Sequence, residues 1–433
     1  MARDHSLVLV NCNVVPTPPD ASVLYDQGLW IEGNRIHAIA PVDEVHPEAT
    51  RHGAVVLDLG GAFVLPGLIN MHVHFGLALP GQDLLRRESL GTRVLRMAAH
   101  ARDGLESGVT TVRLLGEADG ADFALRDAIE RGYTTGPRIF TAGAPLVCTG
   151  GHGHDLVDAF EADGADGFRR ATRLQLRSGV DLIKICISGG IAGENEKFAA
   201  GQMTSAEMSA VAETAHAWGR IVTAHAGPAD VIAEAIDCGI DNIEHGYFLT
   251  DGVAKKMASA GTWLVPTIGV SRAQAFLERI GAPNWMIERS LAAGEQHWEA
   301  LGFCIKARVA MAMGTDMLPA EPFDDTTASI RELELMVEAG MSVSHALAAA
   351  TTNAARLLGV AESLGSLEPG KCADVIAVPN NPVTDISALR DITTVIKDGR
   401  VVRGGVALAW SETRSIGGRR EAAAVAAASP SQP

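Results

Sequence analysis

No run in this chain is long and apolar enough to span a bilayer, and its amino end lacks the apolar core of a signal peptide. Arg3 there stands beside Asp4, and only the short Ser6-Leu7-Val8-Leu9-Val10 follows. Long runs of one charge are also missing. The formal net charge of −16 is spread along the chain, so neither nucleic acid nor an anionic membrane is expected as a partner. Cysteine is scarce: Cys12, Cys148, Cys186, Cys238, Cys304 and Cys372 lie far apart with no CxxC. That spacing suits reduced thiols and a cytoplasmic location better than a disulfide frame. Finally, no GxGxxG follows the first strand of the middle region, which weakens the runner-up fold, a doubly wound open sheet.

What is present is bulk. With 433 residues, 47 % hydrophobic and 20 % charged, the chain can bury one large core and a smaller one. Short strand patterns occupy both ends. Gly28 to Glu32 and Arg35 to Ala40 flank a Gly33-Asn34 turn, and Ala373 to Val378 precedes a second hairpin around Asp398-Gly399. These ends, 1–62 with 363–410, are expected to form one composite β-sandwich domain. The middle, 63–362, alternates apolar strands with amphipathic helices such as Ser205 to Trp218. Candidate strands begin at Ala62, Val109, Arg138, Leu182, Ile221, Asn242, Trp263 and Val309, the last running to Asp316. Eight such units predict an α/β fold, a (β/α)8 TIM barrel. The tail 411–433, Ala-rich and then Ser/Pro-rich, reads as poorly ordered.

The polar residues fall at telling places on those strands. His72 and His74 close the first, two apart and therefore on one face. His225 ends the fifth strand, His245 the sixth and Asp316 the eighth. A polar group ending an apolar run is costly unless it is paired or bound to metal, and such strand ends are where barrel enzymes keep their chemistry. Five N/O donors suffice for one transition metal and suggest two. Lys184, inside Leu182-Ile183-Lys184-Ile185-Cys186, cannot cheaply keep its charge there, so burial should pull its pKa down. A neutral amine can add carbon dioxide, and the resulting N6-carboxylysine is an anion suited to bridging two divalent ions. Zinc, manganese or cobalt would all suit such a donor set.

In this order His72-x-His74, Lys184, His225, His245 and Asp316 resemble the ligands of the binuclear amidohydrolase superfamily. Neighbouring phrases sharpen the resemblance to its imidazolonepropionase-like, Xaa-Pro dipeptidase-like branch. They are Leu65 to His74, Gly108 to Arg113, Asp181 to Lys184, Asn242 to Gly246, Gly314 to Asp316 and Gly365 to Asp374. The resemblance implies two divalent ions, expected as zinc: one on His72, His74 and Asp316, the other on His225 and His245, bridged by carboxylated Lys184. It further implies Asp316 as acid/base and an amide substrate. The expected substrates are Xaa-Pro-type dipeptides or N-acyl amino acids, including ochratoxin-like amides, and relatives of this kind usually self-associate into homo-oligomers. Alternatives are a hydrolase of a xenobiotic urea, carbamate or cyclic amide, a mononuclear-metal deaminase, and a non-catalytic scaffold. Lys184 argues against the deaminase, and the filled ligand positions argue against the scaffold.

On the substrate side, the loop Thr149-Gly150-Gly151-His152-Gly153-His154 resembles a family segment that contacts substrate, which nominates His152 as a catalytic group and His154 as a contact. Tyr247 could donate to a substrate oxygen or simply pack. Arg113 could bind a substrate carboxylate or serve a structural ion pair. Glu194 and Glu196 read as loop charges, and His297 as a helical residue without a ligand role. Two departures from the family pattern concern specificity: Gly227 replaces a second strand-five histidine, and Leu114 follows Arg113 where relatives often have Asp.

Overall fold

The computed structural model describes residues 5–19, 22–77, 87–154 and 159–404. The expected tail 411–433, with residues 405–410, lies outside the described residues.

Seven strands form one sheet. Its order is Arg400–Arg403, Thr394–Lys397, Val375–Val378, Val55–Pro66, Ser6–Val14, Leu24–Glu32 and Arg35–Pro41. The strand from 55 to 66 runs parallel to Ser6–Val14 on one side and antiparallel to Val375–Val378 on the other, so the two chain ends meet there. Alternation along Ser6–Val14 sends Leu7 and Leu9 to one apolar cluster with Val64, Val375 and Ile396. Val8 and Val10 turn the other way, under Val45 and Ala49 of helix Val42–Arg51. Hydrogen bonding joins these strands into one sheet, and Leu29 and Ile36 from one edge share the first apolar cluster with Ile396 and Val401 from the other.

The apolar run from Ala62 to Met71 reads as one strand but divides at Gly67. A Cβ at Gly67 would stand 2.3 Å from Thr110 Oγ1, so only glycine lets the chain pass there. Beyond it, Leu68–Val73 leaves the first sheet and pairs in parallel with Val109–Leu114, which pairs with Arg138–Thr141. A second parallel set contains Ile183–Cys186, Val222–Pro228, Asn242–Phe248 and Trp263–Val265. Amphipathic helices such as Leu90–Glu106, Gly164–Ser178 and Ala229–Asp237 cover the strands. The result is a mixed α/β fold with parallel sheets.

Main-chain bonds link the two sets on both sides. Asp181 N donates to Thr141 O at 2.8 Å, and Leu264 bridges Met311 in parallel. Met71 N then donates to Met313 O at 2.8 Å, and Asp316 N to His72 O at 2.9 Å. The eighth strand expected over 309–316 is instead an irregular segment with that one bridge. Its course explains why. Gly314 lies so near His72 that a Cβ would be 2.8 Å from His72 Cβ, and Asp316 then turns with φ of 54°. Among the described residues no helix is long and apolar enough to cross a membrane.

Candidate active site

The carboxyl ends of the parallel strands open into a shared cavity. His72, His74, Lys184, His225, His245 and Asp316 all line it, as do His152 and Tyr247. Donor atoms of His72, His74 and Asp316 lie within 4.8 Å of one another. Asp316 Oδ1 is 3.3 Å from the Nε2 atoms of both histidines, and those two nitrogens are 3.3 Å apart. The next imidazoles follow closely, with ring centres 5.0 Å apart for His72 and His245 and 4.6 Å for His245 and His225.

The nitrogen opposite each cavity-facing one is held by the protein. His74 Nδ1 is 2.9 Å from Gly116 O, His72 Nδ1 is 2.7 Å from Glu244 Oε2, and His225 Nε2 is 3.1 Å from Gly189 O. Carbonyl and carboxylate oxygens only accept, so these ring nitrogens donate, and the second nitrogen of each ring is the one a metal ion would use. His245 Nδ1 meets Thr267 Oγ1 at 2.7 Å. Burial, reinforced for His225 by nearby His152 and for His245 by His225, pushes both well below the usual imidazole range. Burial alone would raise Asp316, but His72 and His74 beside it hold the carboxylate well below its ordinary pKa. Lys184 is 4 % exposed, and among the described residues no hydrogen bond or ion pair engages its Nζ. Its burial outweighs nearby Glu244 and lowers its pKa. Neutral His225 and His245, the imidazoles of His72 and His74, an ionised carboxylate and the buried Lys184 amine form a donor set that fits divalent metal.

Behind the histidines lies a network that sequence reading missed. Glu244 is fully buried and accepts from Arg113 Nη2 at 2.5 Å, from Thr223 Oγ1 and from His72. Burial would raise its pKa, yet the charges of Arg113 and His72 bring it down to about 2. Arg113 spends its other donors on Met71 O at 2.6 Å and Asn242 Oδ1 at 2.8 Å. The structure therefore corrects the reading of Arg113 as a substrate contact: it is wholly buried and belongs to the structural ion pair. The signal was a second charge, Glu244, in an otherwise apolar strand.

Helix Asn284–Ala307 backs the site along one face. Met286 reaches the cavity, Ser290 Oγ donates to Val270 O at 2.7 Å, and Gly294 packs so closely that a Cβ would be 2.8 Å from Ser271 O. His297 Nε2 donates to His245 O at 3.1 Å, which leaves Nδ1 to accept from Ser271 Oγ at 2.9 Å. Burial lowers His297 to about 4, so it stays neutral. That bond secures His245, whose φ of 68° costs of order 1 kcal/mol or more for a residue with a Cβ. His297 thus has a positioning role that its helical pattern did not reveal.

On the open side, His152 stacks on His225 with centroids 4.1 Å apart. Glu196, read as a loop charge, is half-buried with its carboxylate turned inward, and it holds His152 Nδ1 at 2.9 Å and Gly190 N at 3.0 Å. Glu194 stays exposed. Tyr247 stacks on His245 at 5.0 Å, and burial keeps its hydroxyl protonated by raising its pKa well above the ordinary value. His154 does not line the cavity and turns its Nδ1 to Gly151 O at 2.9 Å. Ile191, Phe276, Leu277, Met286 and Met317 supply the apolar walls.

Comparison with known proteins agrees with this architecture. An ochratoxinase of Aspergillus niger is 31 % identical over 389 residues, covering 81 % of this chain and 77 % of that protein. An imidazolonepropionase of Symbiobacterium thermophilum is 27 % identical over 423 residues, covering 88 % and 91 %. The crystal structure of a Xaa-Pro dipeptidase with methionine bound in its active site superposes with a TM-score of 0.80 at 31 % identity, covering 92 % of this chain and 100 % of that one. Residues 63–402 match the profile of the Amidohydrolase family. The chain belongs to that family, in its imidazolonepropionase-like, Xaa-Pro dipeptidase-like branch.

Proposed function

We propose that this chain is a binuclear metal-dependent hydrolase that cleaves a carboxamide bond. In this reading a (β/α)8 barrel over 63–362 carries the site, and a composite domain from 1–62 and 363–410 braces it. The observation that supports it most is the convergence of His72, His74, His225, His245 and Asp316 around the buried, unpartnered Lys184. His72, His74 and Asp316 would hold one ion, His225 and His245 the other, and Lys184 as N6-carboxylysine would join them. Zinc, self-association and a cytoplasmic location belong to the same proposal. When bound, the two ions supply Lewis acidity and a water whose pKa falls toward neutrality.

The remaining work falls to side chains. Asp316 would take a proton from the attacking water and pass it to the leaving nitrogen, a role for which its ionised carboxylate and its position between His72 and His74 suit it. Glu196 fixes the His152 ring toward the carbonyl oxygen, and Tyr247 offers a protonated hydroxyl to the same region. The apolar walls exclude water and accept a bulky substituent. A substrate releasing a carboxy-terminal amino acid, from an Xaa-Pro-type dipeptide or an N-acyl amino acid of the ochratoxin kind, fits this arrangement. The test is hydrolysis of a panel of Xaa-Pro, Xaa-Arg and N-acyl-Phe substrates. Release of a free amino acid from one class is expected, and inertness toward all of them overturns the substrate assignment.

A further inference from the structure

We infer that Arg289 is a positioning residue that sets the shape, and hence the size selectivity, of the substrate cavity. The inference rests on the amide-hydrolase reading above. Arg289 lies on helix Asn284–Ala307 and gathers carbonyl oxygens of a single loop. Nη1 donates to Gly190 O at 3.2 Å, Ile191 O at 3.4 Å and Gly193 O, and Nη2 donates to Glu194 O at 3.3 Å. Trp285 lies under the guanidinium, 4.9 Å from ring centre to Cζ. Four carbonyl dipoles aimed at one point repel each other without a cation there. A planar fork with five donors can serve them all, whereas the three donors of a lysine ammonium cannot.

The loop held in this way carries much of the cavity's substrate side. Ile191 and Ala192 form a wall, packed with Phe276, Leu277 and Met286 in an apolar cluster separate from the main core. Gly189 O anchors His225, and Gly190 is so close to His152 that a Cβ would be 2.3 Å from its Cε1. Glu196, at the far end of the loop, holds His152. Arg289 itself does not line the cavity. It acts through the wall by fixing the gap between Ile191 and Met286, into which the apolar substituent of an amide fits.

The experiment compares wild type, Arg289→Met and Arg289→Lys on a bulky N-acyl-Phe substrate and a small N-acetyl-Gly substrate. Two readouts do not depend on turnover: metal content by elemental analysis, and tryptic cleavage after Lys197, an exposed residue just beyond the loop. For Arg289→Met, KM for the bulky substrate should rise about tenfold relative to the small one, with kcat within about threefold. Cleavage after Lys197 should accelerate, metal content should stay at the wild-type level, and Arg289→Lys should recover part of the KM effect. An unchanged KM ratio with undisturbed Lys197, or loss of metal from Arg289→Met, would overturn the assignment. Should wild type cleave neither substrate while tryptic cleavage still responds to Arg289→Met, the substrate reading fails and the clasp on the loop stands.

Discussion

Replacing Glu244 by Gln probes the network that orients the metal-facing histidines without touching any of them. The substitution keeps the volume but exchanges one acceptor oxygen for a donor. That amide then faces either the Nδ1–H of His72 or the guanidinium of Arg113, both of which donate. Arg113, wholly buried, also loses its only counter-charge among the described residues. Breaking a buried ion pair from one side costs roughly 3–5 kcal/mol. At about 2.1 cal/mol/K per residue over 433 residues, the unfolding entropy is about 0.9 kcal/mol/K, so Tm should fall by about 3–6 °C. His72 would also lose the bond that fixes its tautomer, which weakens metal binding about tenfold to a hundredfold. Calorimetry of the metal-free protein reads the first effect and chelator competition the second. A Tm within about 1 °C of wild type together with unchanged metal affinity would refute the reasoning, since neither the pair nor the orientation would then matter.

Asp316→Asn should leave the fold intact and cut kcat by roughly 10²–10⁴, and an unaffected rate would remove its proton-transfer role. Gly190→Ala should push the His152 ring aside, raising KM and altering substrate preference while metal content holds; loss of metal would place His152 wrongly. His297→Gln tests a pH effect whose sign follows from burial. The unfolded chain protonates this imidazole near its ordinary 6.5 but the folded one only near 4, so folding loses up to about 3 kcal/mol as pH falls through that window. Denaturant titrations at pH 7 and pH 4 should therefore show a smaller acid loss in the variant, and equal losses would show that His297 does not contribute.

How much of this was legible beforehand depends on what the sequence encodes locally. Both terminal hairpins were readable because Gly33 and Gly399 punctuate alternating apolar runs. The histidines that meet in the cavity were exposed by a local anomaly, polar groups closing apolar strands. Burial, however, says nothing about who the partner is. Arg113 and Glu244 lie 131 positions apart, so each charge taken alone invites a ligand role, and only the fold shows that they meet. Glu196 looked like an ordinary loop charge because the turn that brings it under His152 depends on Gly189, Gly190 and Gly193 packing without side chains. The segment 309–316 misled for the opposite reason. Its apolar pattern suits a strand, but Gly314 and the left-handed Asp316 bend it toward His72.

The central claim is that Lys184 joins two metal ions, and elemental analysis of the purified protein tests it most directly. Wild type should carry about two equivalents of divalent metal, and Lys184→Ala should lose at least one together with most activity, part of which returns with short carboxylic acids. One equivalent or none in wild type, or an undiminished two in Lys184→Ala with normal turnover, would contradict the account.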